Sequence, residues 1–320
     1  KDMKYHRNRY NYDRVAFTVM REMDIAYERF KKGELDTFYI TAPNFWHDKA
    51  VGPIYDKGYV EKRWFYTDKP IGATGMWLNS DAELSKDKNV LGFQHAMNVE
   101  KMLKSLLRGD YERMNTDGEG YGNATNKAIV ARPFDLKLAD EHLNKAGWSQ
   151  RGPDGIRVKN GRRLSARVTY STQLHTDRLV LLKEEAKKAG IELTLQLLDG
   201  AAAYKTCREK NHEICSTSWT AGLKPEYWGQ YHGSQAHKPQ TNNYGNVDDP
   251  ELDKLIDAWR AEFDEKKQAD YARKIQARIH EEGAYVPLWK FSYFRIAYWR
   301  WLNFLHSAGI KSSYDRMTYY

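Results

Sequence analysis

The chain lacks any apolar run near the ~18 residues that a helix needs to cross a bilayer. It also lacks a G-x-S-x-G elbow, a P-loop, a G-x-G-x-x-G turn and an H-E-x-x-H pair. The commonest short signatures of acyl hydrolases, nucleotide enzymes and zinc peptidases are therefore missing. Cysteine is nearly absent, with Cys207 and Cys215 the only two. No second pair stands at ligand spacing, which excludes the usual zinc signature. Two such thiols are unremarkable in a reducing cytosol. In an oxidising compartment they are able to bridge a helix end to the next strand, and geometry decides between the two readings. The ten histidines show no metal-ligand spacing, and His280, Glu281 and Glu282, adjacent along a helix, do not share a face. Internal repeats and low-complexity stretches are absent too. These absences leave no catalytic set, no metal site and no cofactor motif, so the expectation is a protein that is not an enzyme.

What is present suits a large folded body. The 320 residues suggest two domains or one large discontinuous one. Hydrophobic residues at 41% supply a sizeable core, and aromatics at 13% supply rings that are apolar in body and polar at the tip. A net charge of +8 raises the question of a nucleic-acid partner. However, KKGELD (31–36), KEEAKKAG (183–190) and DEKKQAD (264–270) mix both signs, as solvated helix faces do. No nucleic-acid motif accompanies them, and no nucleic acid is expected. The opening KDMKYHRNRYNYD carries no signal peptide and reads as the middle of a fold, so the expectation is a mature or truncated product.

Periodicity predicts alternating strands and helices. Val15, Phe17 and Val19 alternate as a strand, Asp24 caps a helix over 25–32 that stops at Gly33, and 35–40, 61–66 and 74–79 read as strands. Two short helices part at Asn98, and residues 110–134 form a long Gly-, Asn- and Asp-rich loop of the kind that often carries function. A helix over 138–146 stops at Gly147, and 151–172 reads as two strands turning at 159–161. Helices over 177–189 and 200–210 then alternate with strands over 191–197 and 213–219. Two helices (250–263 and 266–283) and closing strands follow, then an irregular tail. Such alternation is the mark of an α/β fold.

The richest local signal runs from Ser216 to Tyr244. A strand ends at Trp219, and the following loop presents Tyr227, Trp228 and Tyr231. Ligands of open α/β sheets bind beyond the carboxyl ends of strands, where aromatic rings stack on sugars or clamp side chains. The competing reading is that these rings cover the lobe's own core.

Several stretches resemble the family-5 extracellular solute-binding proteins of ABC importers, which carry peptides, nickel complexes and oligosaccharides. RYNYDRVAF and AYERFKKGELD resemble the family's return to its main lobe and the helix-plus-turn that follows. KNVLGFQHAMNVEKMLKSLLRGD resembles its pair of helices, with QHAMN a variant of the usual run. GYGNATNKAIVARPFDLKLADEHLNKAGW, with Ala146, Gly147 and Trp148, resembles its loop and helix, and DGIRVKNGRRLSARVTY its hairpin. DDPELDKLIDAWR and AYVPLWKFSYF resemble its closing helix and strand. The matches run in family order over almost the whole chain.

The resemblance implies a two-lobed periplasmic-binding-protein-like α/β fold (type II, large cluster) closing by a hinge on an interlobe cleft. It implies that this chain lacks the N-terminal part of the first lobe. Residues 1–84 and 285–320 would then belong to that lobe and residues 85–284 to the second. The implied function is capture of a peptide or peptide-like solute for a membrane ABC permease, at a periplasmic or other extracytoplasmic location. A missing N-terminal fragment would be a further partner. Candidate ligand-binding residues are Trp219, Tyr227, Trp228 and Tyr231, with Tyr121 and Arg132 from the long loop. One departure matters. The family's peptide binders follow the Trp-ending strand with an aspartate that meets the peptide amine, and here Gly222 stands at that position. A buried ammonium without an anion is costly, so either Glu226 substitutes or the ligand lacks an amine. An oligosaccharide receptor and, behind it, a cleft hydrolase are the alternatives.

Overall fold

The computed structural model describes residues 14–20, 22–66, 70, 72–87, 91–283, 285–291 and 293–302. Part of RYNYDRVAF and the tail beyond 302 lie outside the described residues. The chain divides into two compact units, Lys1–Lys69 with Phe291–Tyr320, and Pro70–Lys290.

In the first unit, the helix Met23–Lys31 packs Tyr27 and Phe30 against a three-stranded antiparallel sheet, Thr37–Tyr39, Tyr293–Trp299 and Val60–Tyr66 in that order. Phe38, Ile40, Phe45 and Trp46 complete its core. Arg295 is buried there: it donates to the carbonyls of Ile40 (3.2 Å) and Thr41 (3.1 Å), and its guanidinium lies over Trp46 and Trp64. Two expectations are corrected. Residues 14–20 form no regular element, and Val15, Phe17 and Val19 are exposed, since alternation without a buried face does not make a strand. Asp24 sits inside the first helical turn and pairs with Lys49, while Glu22 holds the N-cap position without a side-chain bond.

The second unit is built on a five-stranded mixed sheet. Its order is Tyr285–Pro287, Thr74–Leu78, Ile214–Ser218, Ser165–Tyr170, Glu192–Leu197. The last three strands are parallel, and the first two are antiparallel to their neighbours. Parallel pairing requires crossovers, and the helices Thr176–Lys188 and Gly200–Arg208 supply them. Sequence boundaries at 84 and 285 place Thr74–Leu78 in the first lobe; in the structure both edges of that strand are paired inside the second unit. Helices Pro250–Ala261 and Glu265–Glu282 pack together through Leu252, Ile256, Trp259, Ile275 and Ile279. The second helix stops at Gly283, whose left-handed backbone (φ 68°) suits glycine. The expected hairpin turns at Asn160 and Gly161, but its second strand is only Arg162–Arg163, and Ser165–Tyr170 joins the main sheet instead.

Two features lock this unit. Arg157 is fully buried and donates to the Ala189 carbonyl (2.7 Å), to Asn144 Oδ1 (2.7 Å) and to the Trp148 carbonyl, while pairing with Asp140. One guanidinium thereby joins the helix Leu136–Lys145, the Ala-Gly-Trp segment and the end of the helix Thr176–Lys188. Cys207 and Cys215 form a disulfide with Cα atoms 6.1 Å apart, tying the helix Gly200–Arg208 to the strand Ile214–Ser218.

Candidate functional site

The strand Ile214–Ser218 delivers Trp219 to the edge of a pocket in the second unit. Trp219 is held from both sides. Its backbone N–H donates to the Ala73 carbonyl at 2.8 Å, and its ring meets Trp77 edge-on (6.0 Å between centroids) and lies 5.0 Å from Tyr244. Tyr244 is itself fixed by His212, whose Nε2–H donates to the Tyr244 carbonyl at 2.9 Å. Burial pushes the His212 pKa down to about 4, which keeps the ring neutral. Trp219 Nε1 is buried and has no hydrogen-bond partner among the described residues.

Around it, the pocket is lined by Asp117 and Tyr121 from the long loop, and by Gly222, Glu226 and Tyr227 from the segment after Trp219. Tyr227 is buried, with its hydroxyl accepting from Gln276 Nε2 at 2.8 Å. Burial raises the Tyr121 pKa, the nearby Asp117 charge adds to that, and the Gly222 backbone N–H faces the phenol oxygen. Asp117 is partly buried in the pocket wall. Thr116 Oγ1 donates to its Oδ1 at 3.3 Å, and desolvation raises its pKa. The cavity is small, about 40 Å³.

Of the residues expected at the site, Trp219, Tyr227, Tyr121 and Glu226 therefore come together, with Gly222 among them. Glu226 is exposed and accepts from the Gly229 backbone N–H at 3.2 Å. The other three lie elsewhere. Tyr231 does not line the pocket: its ring is buried in the core of the two long C-terminal helices, behind Asp117, whose charge opposes the ionisation of its hydroxyl. Trp228 packs on His232 and under Arg260. Arg132 donates to Gln94 Oε1 and to the His280 carbonyl, both at 2.9 Å. Asp117 was not singled out from the sequence, because Asn-Thr-Asp-Gly reads as a turn.

Gly72 fixes the approach to Trp219, since a Cβ there would sit 1.4 Å from the Trp219 carbonyl oxygen. Gly72→Ala is expected to displace the end of the strand, to weaken ligand binding and to cost ~1–2 kcal/mol of stability through overpacking. Near-ultraviolet dichroism of the tryptophans and a urea melt check this, and unchanged spectra with full binding would contradict it.

A mixed sheet with parallel crossovers and an aromatic pocket beyond a strand's carboxyl end is an α/β architecture that offers a ligand site at that end. The profile described as bacterial extracellular solute-binding proteins, family 5 (middle region), matches residues 1–238, and the chain belongs to that family. The oligopeptide-binding protein AppA of Bacillus subtilis is 24% identical over 292 residues, covering 89% of this chain and 52% of AppA. The peptidoglycan-binding protein YepA of Agrobacterium fabrum is 20% identical over 339 residues, covering 92% and 54%. Among solved structures, AppA from Bacillus subtilis in complex with a nonapeptide superposes with a TM-score of 0.77 at 21% identity, covering 88% of this chain and 55% of that one. NikA from Brucella suis with Fe(III)-EDTA gives 0.71 at 21% identity, covering 87% and 56%. At these identities the superpositions establish the α/β fold expected from the sequence. The chain spans about half the length of the curated relatives it matches.

Proposed function

We propose that this chain is part of the solute-binding component of an ABC importer, one that captures a peptide or peptide-like solute and presents it to a membrane permease. The single observation carrying this reading is the aromatic pocket of Trp219, Tyr121 and Tyr227 beyond the strand Ile214–Ser218 in a chain of this family. The peptide complexes of AppA from Bacillus subtilis and of DppA from Helicobacter pylori favour peptides as the solute class. A periplasmic or other extracytoplasmic location fits the Cys207–Cys215 disulfide, which persists where the environment is oxidising. The protein acts here as a receptor and turns nothing over. Closure on the solute is a population shift driven by the affinity difference between open and closed forms.

An oligosaccharide is the second reading. It is favoured by Gly222 at the position where the peptide binders carry an anion, and by rings suited to stacking. Mass spectrometry of small molecules released by denaturing the purified protein separates the two. Peptides are the expected result. Sugars would transfer the assignment to the second reading, and a panel of peptides and glycosides hydrolysed by the protein would overturn the receptor reading itself.

A further inference from the structure

We propose that Asp117 anchors a positively charged organic nitrogen of the solute, in a pocket that Trp219, Tyr121 and Tyr227 line beside it. This rests on the solute-binding reading and names the chemical class that the pocket selects.

Asp117 lines the cavity, and among the described residues no lysine, arginine or histidine pairs with it. Its surroundings are neutral phenols: the ionisation of Tyr121, Tyr227, Tyr231 and Tyr285 is opposed in each case by the Asp117 charge. Hydroxyl groups solvate a carboxylate but do not neutralise it, so the charge stays incompletely compensated until a cation arrives. Desolvation already raises its pKa, the direction that an arriving cation reverses.

The pocket's size and lining narrow the cation. About 40 Å³ is roughly three times the ~10–15 Å³ that a water needs on the same measure, enough for an ammonium head. A hard divalent metal seeks about six or more oxygen ligands, and no group of three His, Cys, Asp or Glu able to hold a metal occurs among the described residues. Aromatic rings lining a pocket beside a carboxylate suit an organic cation better than a strongly hydrated metal ion. Glu226 lines the same pocket from the segment following the strand, but it is exposed to water and accepts from the Gly229 backbone N–H, whereas Asp117 is the more enclosed of the two carboxylates.

Butylammonium chloride and its neutral analogue 1-butanol are the probes, titrated into the full 320-residue chain at pH 7.5 and followed by tryptophan fluorescence and carbon-13 signals of labelled aspartate. Butylammonium is expected to bind and butanol not. Asp117→Asn is expected to weaken the ammonium response by about ten-fold or more. Should that variant not fold, the wild type still decides: butylammonium must lower the pKa of the Asp117 carboxyl. Equal responses to the two probes, an unaffected Asn variant or an unmoved carboxyl pKa would each overturn the anchor. A protein that releases peptides yet ignores butylammonium loses the anchor alone. One that releases no solute yet shows the Asp117-dependent response keeps the anchor and loses the importer reading.

Discussion

Arg157→Ala should lower the free energy of unfolding by ~3–5 kcal/mol, the largest effect expected of a single substitution in the second unit. The guanidinium is fully buried and serves four partners on three separate segments. Its removal orphans the Trp148 carbonyl, at ~1–3 kcal/mol for a buried unpaired group, leaves the Ala189 carbonyl with only the longer bond from Arg151 (3.3 Å), and opens a void where the fully buried side chain lay. Asp140 contributes little to this loss. Its side chain is 49% exposed, so water solvates the charge once the arginine has gone. Arg157→Met separates the causes: it fills most of the volume while still deleting the hydrogen bonds, so it should recover only the void's share. Urea unfolding of the three proteins measures both quantities. A loss below ~1 kcal/mol in the alanine variant would show that this guanidinium does not hold the three segments together.

Reduction of Cys207–Cys215 comes next in size. Chain-entropy bookkeeping for a loop with a sequence separation of 8 gives about 2.5 kcal/mol. The effect should also be local to the candidate site. Both cysteines belong to the same buried cluster as Trp77, Tyr244 and Tyr285, against which Trp219 packs. A chain treated with reductant should therefore unfold at lower urea and show altered tryptophan fluorescence before it unfolds. A Cys207→Ala, Cys215→Ala double variant should be equally destabilised and indifferent to reductant. If the urea midpoint stays put after thiol titration confirms reduction, the bridge contributes nothing to stability.

Much of the fold was legible because its periodicities are strong and its stops are chemical. Gly33, Gly147, Gly190 and Gly283 end or follow helices where the sequence places them, each with a positive φ. The alternation of helix and strand from 165 to 218 needs no tertiary knowledge to read. The failures share a cause. Val15, Phe17 and Val19 have the period of a strand but no buried face to use it. At the candidate site, Trp219 and Tyr227 were legible as rings placed after a strand. Spacing does not say which way a ring turns, and Tyr231 follows Tyr227 into the helical core while Trp228 turns toward Arg260. Arg132 looked like a loop cation awaiting a ligand, yet two protein oxygens occupy it. Asp117 could not be found from its own neighbourhood. Its surroundings come from two other stretches of chain, and only folding brings Tyr227, Tyr231 and Tyr285 to it.

The pairing of Thr74–Leu78 with Tyr285–Pro287 has a mechanical meaning. Gly75 faces Pro287 and Trp77 faces Tyr285, so the chain enters and leaves the second unit at the same end of one antiparallel pair. Tension applied through the two flanking segments would peel that pair open one bond after another, like a zipper, instead of shearing all its bonds together. The second unit is thus an insertion that load would open first at its own doorway, and Trp219, whose backbone N–H is bonded to Ala73 just before that pair, would feel the pull at once.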